Sequence, residues 1–175
     1  MWPAKVAELS RGDPEQVVRE NALRKARAVW LGASTDGAEV VIGCDTIVTL
    51  GGEIYGKPAH LEQARETLTA LSGACHEVLS GLAVLAADEV EASADAAVRE
   101  RVTVARTTVS FRALDDALLE WYLATGEWRG RAGAYAIQGA GAALVREIAG
   151  DYENVVGLPV AALLDVYPQL LSEHR

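Results

Sequence analysis

The sequence predicts an α/β fold with a mixed sheet, in a single domain over residues 1–175. Segments with helical periodicity alternate along the chain with short apolar runs typical of strands, and Gly51-Gly52 separates two of these runs. A two-residue glycine turn joins antiparallel strands, which disfavours a purely parallel sheet. With 175 residues, of which 50% are hydrophobic, the chain suits one domain with a substantial core.

The segment GDPEQVVRENALRKARAVW predicts the first helix. Asp13 is a favourable N-cap residue and Pro14 fits the first turn. Lys25 falls within the apolar stripe of this helix, which has two interpretations. Either its stem packs while its ammonium reaches water, or the ammonium points into a cleft. The other members of the stripe are Val18, Ala22, Ala26 and Val29.

The segment AEVVIGCDTIVTL predicts a buried strand that contains Asp45. An ionised carboxylate in an apolar strand is costly unless cations or hydrogen bonds compensate it. Asp45 is therefore either a structural residue near a strand end or part of a site with Lys25, Lys57 or a divalent metal. A carboxylate among cations suits phosphoryl chemistry.

The segment GGEIYGKP, residues 51–58, has the glycine and lysine spacing of a phosphate-binding P-loop. Pro58 stands where that loop needs Ser or Thr, and it disfavours helical geometry at Lys57. The sequence instead predicts a hairpin turn at Gly51-Gly52 and a return strand at 53–56. This strand would bring Lys57 toward Asp45.

The remaining elements continue the alternation of helices and strands. Val102 and Val104 differ in phase from Val109 and Phe111, which predicts a β-bulge or bend near 106–108. The other predictions, in order, are a helix in HLEQARETLTALSG, strands in HEVLSGLAVLA and RVTVARTTVSF, a helix in LDDALLEWYLATG ending at Gly126, a strand at about 142–148 and a helix in LPVAALLDVYPQLL.

The chain is acidic, with a formal net charge of −9. Nucleic acids are bound by clustered Lys and Arg, so no nucleic-acid partner is expected. The sequence has neither an apolar run of about 18 residues nor a signal-peptide pattern, so we expect no membrane partner and a cytoplasmic location. A small polyanionic ligand is compatible with this charge if a few cations or a metal face it.

Gln138 lies in the segment AIQG, beside the flexible Gly139. A side-chain amide carries both donors and an acceptor and can read the edge of a nucleobase. An ordinary loop glutamine is the alternative interpretation.

Seven stretches together resemble the Maf family of nucleoside triphosphate pyrophosphatases. The pairing of CDT with IQG resembles the branch that acts on dTTP and UTP. In chain order the stretches are KA at 25–26, GCDT at 43–46, GKPA at 56–59, LSG with HEVLSG at 71–81, YLATGE at 122–127, AGAYAIQGAGA at 132–142 and GDYENVVGLP at 150–159.

The resemblance implies an elongated, two-lobed fold of the Maf/ITPase type with a central cleft, and hydrolysis that depends on Mg²⁺ or Mn²⁺. The products would be a nucleoside monophosphate and pyrophosphate, from dTTP, UTP or modified pyrimidine nucleotides. Asp45 matches the catalytic and metal-linked acid, and Lys57 and Lys25 match phosphate-facing catalytic lysines. Thr46 and Gln138 match positions linked to base preference. A homodimer is one assembly compatible with this resemblance.

The opening of the chain departs from the family pattern. Related sequences begin with a strand, an S-x-S-P-R-R loop that grips phosphates, and an acidic pair. The quoted sequence opens at MWPAKVAELS without them. We therefore expect the N-terminal strand and arginine clamp to be missing. A second interpretation follows: a shortened, catalytically impaired relative that binds nucleotide or acts in septum and growth control.

Overall fold

The computed structural model describes residues 7–33, 40–87 and 98–171. Its helices are α1 (Pro14–Ala33), α2 (Leu61–Leu71), α3 (Asp116–Thr125), α4 (Tyr152–Val156) and α5 (Val160–Val166). Its strands are β1 (Val40–Leu50), β2 (Glu53–Tyr55), β3 (Cys75–Ala87), β4 (Val98–Phe111) and β5 (Val145–Ala149). Short 3₁₀ turns cover Ala132–Ala134, Ala140–Leu144 and Pro168–Leu171.

The five described strands form one sheet in the order β2-β1-β3-β4-β5. The predicted combination of helices and strands in an α/β fold is confirmed. The sheet differs from the prediction in strand direction, because each pairing among the described strands is antiparallel rather than of mixed direction. The hairpin at Gly51-Gly52 is present, with φ of +61° and +85°, values that glycine adopts readily.

Helix α1 packs unusually close to one face of the sheet. A Cβ added to Gly43 would lie 2.3 Å from the Ala22 carbonyl oxygen, and one added to Gly81 would lie 2.1 Å from that of Val18. The predicted stripe is buried at Val18, Ala22 and Ala26, whereas Val29 is 37% exposed. The close contact thus involves the middle of α1, and in its later part Trp30 still packs, partly buried, against the same face.

The opposite face carries the larger core, to which α2, α3 and the turns before β5 contribute. Leu68 and Leu71 of α2 and Tyr122 of α3 are completely buried there. Helix α3 ends as predicted at Gly126, in the left-handed conformation with φ of 73°.

Of the β-bulge or bend predicted near 106–108, the bulge is wrong. Pairing of β3 with β4 runs without interruption from Cys75 opposite Ser110 to Ala87 opposite Val98. The apolar phase changes along β4 because different elements cover its two faces. Val102 and Val104 pack on the α1 side, while Val109 and Phe111 enter the larger core. The irregularity of β4 lies between Ser110 and Phe111, in its pairing with β5.

Two predicted boundaries also shift. The strand expected at about 142–148 begins at Val145, since a 3₁₀ turn occupies the residues before it. The last helix ends at Val166 because Pro168 disfavours helical geometry at Tyr167. Helix α4, which was not predicted, begins after Asp151, whose side chain accepts a hydrogen bond from the Glu153 amide.

Candidate active site

A cleft of about 320 Å³ lies at the open edge of β1. Strand β2 pairs with β1 only at Val48–Leu50, so the outer edge of 40–47 has no partner among the described strands. Side chains alternate along a strand. Asp45 therefore points to the α1 face and Thr46 to the α4 face, and both border the cleft.

Asp45 is buried, with 5% of its surface exposed. Its carboxylate accepts hydrogen bonds from Asn21 Nδ2 at 2.8 Å and from Lys25 Nζ at 2.5 Å. Asn21 and Lys25 are four residues apart and so share one face of α1. The helix thereby supplies both partners that compensate the buried carboxylate, and the Lys25 ammonium lies at the cleft.

Glu8 is a second carboxylate at this end of the cleft. Its Oε1 lies 2.8 Å from Lys25 Nζ, and its Oε2 lies 3.6 Å from Lys57 Nζ. Partial burial opposes ionisation, but the hydrogen bonds and charges of Lys25 and Lys57 prevail and lower the pKa of Glu8. Burial likewise opposes the charge of Lys25, while Asp45 and Glu8 together raise its pKa. The two carboxyl groups and the two lysines form one contiguous cluster.

Lys57 follows β2 in non-helical backbone, as its position before Pro58 predicts. Its side chain is 51% exposed and its ion pair with Glu8 is long. The Gly56 carbonyl accepts a hydrogen bond from the Gly133 amide at 3.2 Å, which ties this hairpin to the segment before Gln138. Arg131 in the same segment also lines the cleft.

Thr46 and Gln138 line the same cleft as the lysines. The Thr46 hydroxyl lies 2.7 Å from that of Ser80, its partner on β3. Gln138 is exposed, on the segment between two 3₁₀ turns. Gly157 borders the cleft beside Thr46, and its carbonyl accepts a hydrogen bond from Cys44 Sγ at 3.2 Å. The structure thus brings all five predicted site residues to one cleft.

Sequence reasoning missed Glu8, Asn21 and Ser80. Asn21 carried a usable signal, since it lies one helical turn before Lys25 on the face predicted to be buried. Glu8 carried none, because nothing in a short segment before a helix indicates which side chain contacts a strand. Ser80 is directly opposite Thr46 on β3, which became visible only with the strand register.

The carboxylates suit a hard divalent cation. Among the described residues, no group of three or more His, Cys, Asp or Glu side chains forms a closed metal cage. Mg²⁺ is commonly held by one or two carboxylates together with substrate phosphates and waters. Asp45 and Glu8, which contact the same ammonium nitrogen, fit that smaller requirement.

The antiparallel sheet and the cleft at the open edge of β1 define an α/β protein whose candidate site combines lysine and carboxyl side chains. The sequence profile of the Maf family, described as "Maf-like protein", matches residues 1–170. This chain belongs to the Maf family. In the described part of the chain, no helix is both long and apolar enough to cross a bilayer.

Three similar proteins carry the name dTTP/UTP pyrophosphatase. The one from Pyrococcus furiosus is 42% identical over 164 residues, which cover 93% of this chain and 80% of the relative. That of Anaeromyxobacter dehalogenans is 47% identical over 148 residues, covering 85% and 70% respectively. That of Symbiobacterium thermophilum is 44% identical over 156 residues, covering 89% and 74%.

Proposed function

We propose that this chain is a nucleoside triphosphate pyrophosphatase that hydrolyses dTTP and UTP to the nucleoside monophosphate and pyrophosphate. The observation that carries the proposal is the contact of Asp45 with Lys25 at the open edge of β1. Lys57 approaches the same cluster, and Thr46 and Gln138 line the same cleft. The names of the similar proteins support the choice of nucleotides.

The lysines form the phosphate end of the cleft in this proposal. Lys57 is half exposed and only loosely paired, so it can exchange Glu8 for a phosphate oxygen at small cost. Lys25 is held by two carboxylates and provides a fixed positive charge. Such fixed charges stabilise the negative charge that develops on the leaving pyrophosphate.

Asp45 has two chemical roles open to it. Its carboxylate can accept a proton from the attacking water as a general base, or it can hold a metal. Asn21 and Lys25 fix its orientation in either role. Asp45 and Glu8 would hold Mg²⁺ or Mn²⁺ together with substrate phosphate oxygens, and the ion would supply positive charge at the phosphates.

Thr46 and Gln138 form the base end of the cleft. Thr46 lies on the α4 side of β1 and Gln138 lines the same cleft, whereas Asp45 lies on the α1 side, so the ligand would wrap around the open strand edge. A hydroxyl and an amide suit the donors and acceptors of a pyrimidine base. We place this activity in the cytoplasm, with a free nucleotide as ligand and a homodimer as the assembly to be checked by light scattering.

Release of pyrophosphate from a panel of triphosphates tests the proposal. The purified protein with Mg²⁺ or Mn²⁺ should release pyrophosphate from dTTP and UTP, and Asp45→Asn should remove most of this activity. Asp115→Asn is the matched control, because Asp115 is the N-cap of α3, where Asn serves equally well. Equal rates for the wild type and Asp45→Asn would refute the mechanism. Nucleotide binding without product would favour the catalytically impaired relative.

A further inference from the structure

A chain of hydroxyl and carbonyl groups runs from the cleft into the core. Thr46 Oγ1 lies 2.7 Å from Ser80 Oγ, and Ser80 Oγ lies 3.4 Å from the Asn154 carbonyl oxygen. Ser80 and Asn154 are completely buried. Between two hydroxyls either oxygen can be the donor, so the direction of the Thr46–Ser80 bond depends on where the Ser80 proton is needed.

The Asn154 carbonyl determines that direction. In a regular helix its donor would be the Leu158 amide, but that amide donates to the Glu153 carbonyl, as does the Gly157 amide. Buried carbonyls that lack a donor are costly. Ser80 is the side chain placed to satisfy this one. The Ser80 proton therefore goes to Asn154, and Ser80 Oγ must accept the proton of Thr46.

Thr46 consequently presents an acceptor to the cleft. A hydroxyl has one proton, and that of Thr46 is directed at Ser80, away from the ligand. The neighbouring Cys44 sulfur is also within hydrogen-bond reach of the Thr46 hydroxyl. A thiol sulfur is a weak acceptor, and its own proton goes to the Gly157 carbonyl, so the 2.7 Å contact with Ser80 holds the Thr46 proton. On the cleft side, next to Gly157, the Thr46 hydroxyl therefore offers only an oxygen lone pair.

We propose that Ser80 is a positioning residue that makes Thr46 an obligate hydrogen-bond acceptor, and that this selects bases with an N–H donor at the contacted edge. Uracil and thymine carry such a donor at N3, whereas cytosine presents a bare acceptor nitrogen there. Two acceptors facing each other without a proton are repulsive and unsatisfied. This inference rests on the proposed function, because that proposal places Thr46 against the base.

The ratio of kcat/KM for UTP to that for CTP tests the role of Ser80. Ser80→Ala frees the Thr46 proton to turn toward the cleft, so the ratio should fall roughly tenfold, chiefly by recovery of CTP, because the Thr46 oxygen can still accept from the N3–H of uracil. Ser80→Thr retains the hydroxyl and should restore the wild-type preference. Thr46→Val removes the acceptor while Ser80 keeps its bond to Asn154, so it should also lower the ratio if Ser80→Ala does not fold.

Thr107→Val is the matched control for loosening of α4. The Thr107 hydroxyl donates to the Asp151 carbonyl and accepts from Asn154 Nδ2, but it does not contact Thr46. This variant should lose thermal stability and keep the UTP/CTP ratio. An unchanged ratio in Ser80→Ala or Thr46→Val would overturn the inference, as would an equal fall in Thr107→Val. A wild type that cleaves UTP and CTP equally also overturns it but leaves the pyrophosphatase standing, whereas a wild type that cleaves neither nucleotide refutes the proposed function itself.

Discussion

Asn21 Nδ2 donates a hydrogen bond to Asp45 Oδ2 across 2.8 Å, between residues 24 positions apart. The same amide accepts from the Leu9 backbone N–H at 2.7 Å and donates to the Leu9 carbonyl at 3.0 Å. Asn21 is 2% exposed, so these bonds use its polar atoms in a buried setting. One side chain therefore fixes both the orientation of Asp45 and the position of the segment that carries Glu8.

Replacement of Asn21 should reduce activity although its side chain does not line the cleft. Asn21→Leu leaves the Asp45 carboxylate with Lys25 alone and releases Leu9, at a cost of about 1–3 kcal/mol in the free energy of unfolding. We expect kcat/KM for UTP to fall at least roughly tenfold, measured by pyrophosphate release. Arg24→Ala is the control, because its pair with Glu20 is exposed on the same helix. A wild-type kcat/KM in Asn21→Leu would show that Asp45 needs no such support.

Replacement of Lys25 should lower both stability and activity, whereas replacement of Lys57 should lower activity with little change in stability. Lys25→Met leaves the Asp45 carboxylate buried without its cation, which costs about 3–5 kcal/mol in stability as well as activity. Lys57→Met breaks only a long, exposed ion pair, worth about 0–1 kcal/mol, yet it should raise KM strongly. Urea denaturation and steady-state kinetics on both variants measure this contrast. Equal loss of stability in the two variants would contradict it.

The contact between Asp45 and Lys25 could be predicted from the sequence, because each is a charged residue in an otherwise apolar local pattern. Asp45 stood in an apolar strand and Lys25 in an apolar helical stripe, and burial of either alone is costly. The pairing of the two resolves both conflicts. The roles assigned to the five site residues stay predictions, although all five border the cleft: Asp45, Lys25, Lys57, Thr46 and Gln138.

The rest depended on contacts that no local pattern reveals. Glu8 reaches the cluster because Asn21 binds the backbone of Leu9, a contact across 12 positions. The phase change in β4 predicts a bulge or bend, but a period-two pattern does not tell which element covers each face, and here different elements cover the two faces. The sequence likewise did not reveal that the described strands pair antiparallel throughout, because tertiary packing decides which strands pair and in which direction.

Gly43 should tolerate no larger side chain. A Cβ there would lie 2.3 Å from the Ala22 carbonyl oxygen, which is backbone and cannot move alone. Gly43→Ala should therefore push α1 off the sheet, lower the melting temperature and separate Lys25 from Asp45. Gly56→Ala is the matched control for stability, because a Cβ at that position meets no atom within 4 Å. Similar melting temperatures for the two variants would mean that α1 adjusts its position without loss of stability.

His76 makes stability depend on pH well above the range in which carboxylates titrate. It is 1% exposed, packs edge-on against Phe111 and Tyr135, and shares a 3.0 Å hydrogen bond between Nε2 and the Tyr135 hydroxyl. Burial lowers the pKa of His76 from 6.5 to about 4. Between about pH 6.5 and about pH 4, His76 therefore binds a proton in the unfolded chain but not in the folded chain, so stability falls as the pH falls.

The free energy of unfolding should accordingly drop by about 2 kcal/mol between about pH 7.5 and about pH 5. Glu8 does not contribute in this window, because its pKa lies below its ordinary value of 4.5 and its ion pairs are lost only at lower pH. His76→Phe should remove most of the drop, since phenylalanine suits the aromatic cluster and does not titrate. His60→Asn should keep it, because asparagine preserves the N-cap of α2 and leaves His76 in place. Urea denaturation of the three proteins at several pH values measures the difference, and the same pH dependence in His76→Phe as in the wild type would assign it to other groups.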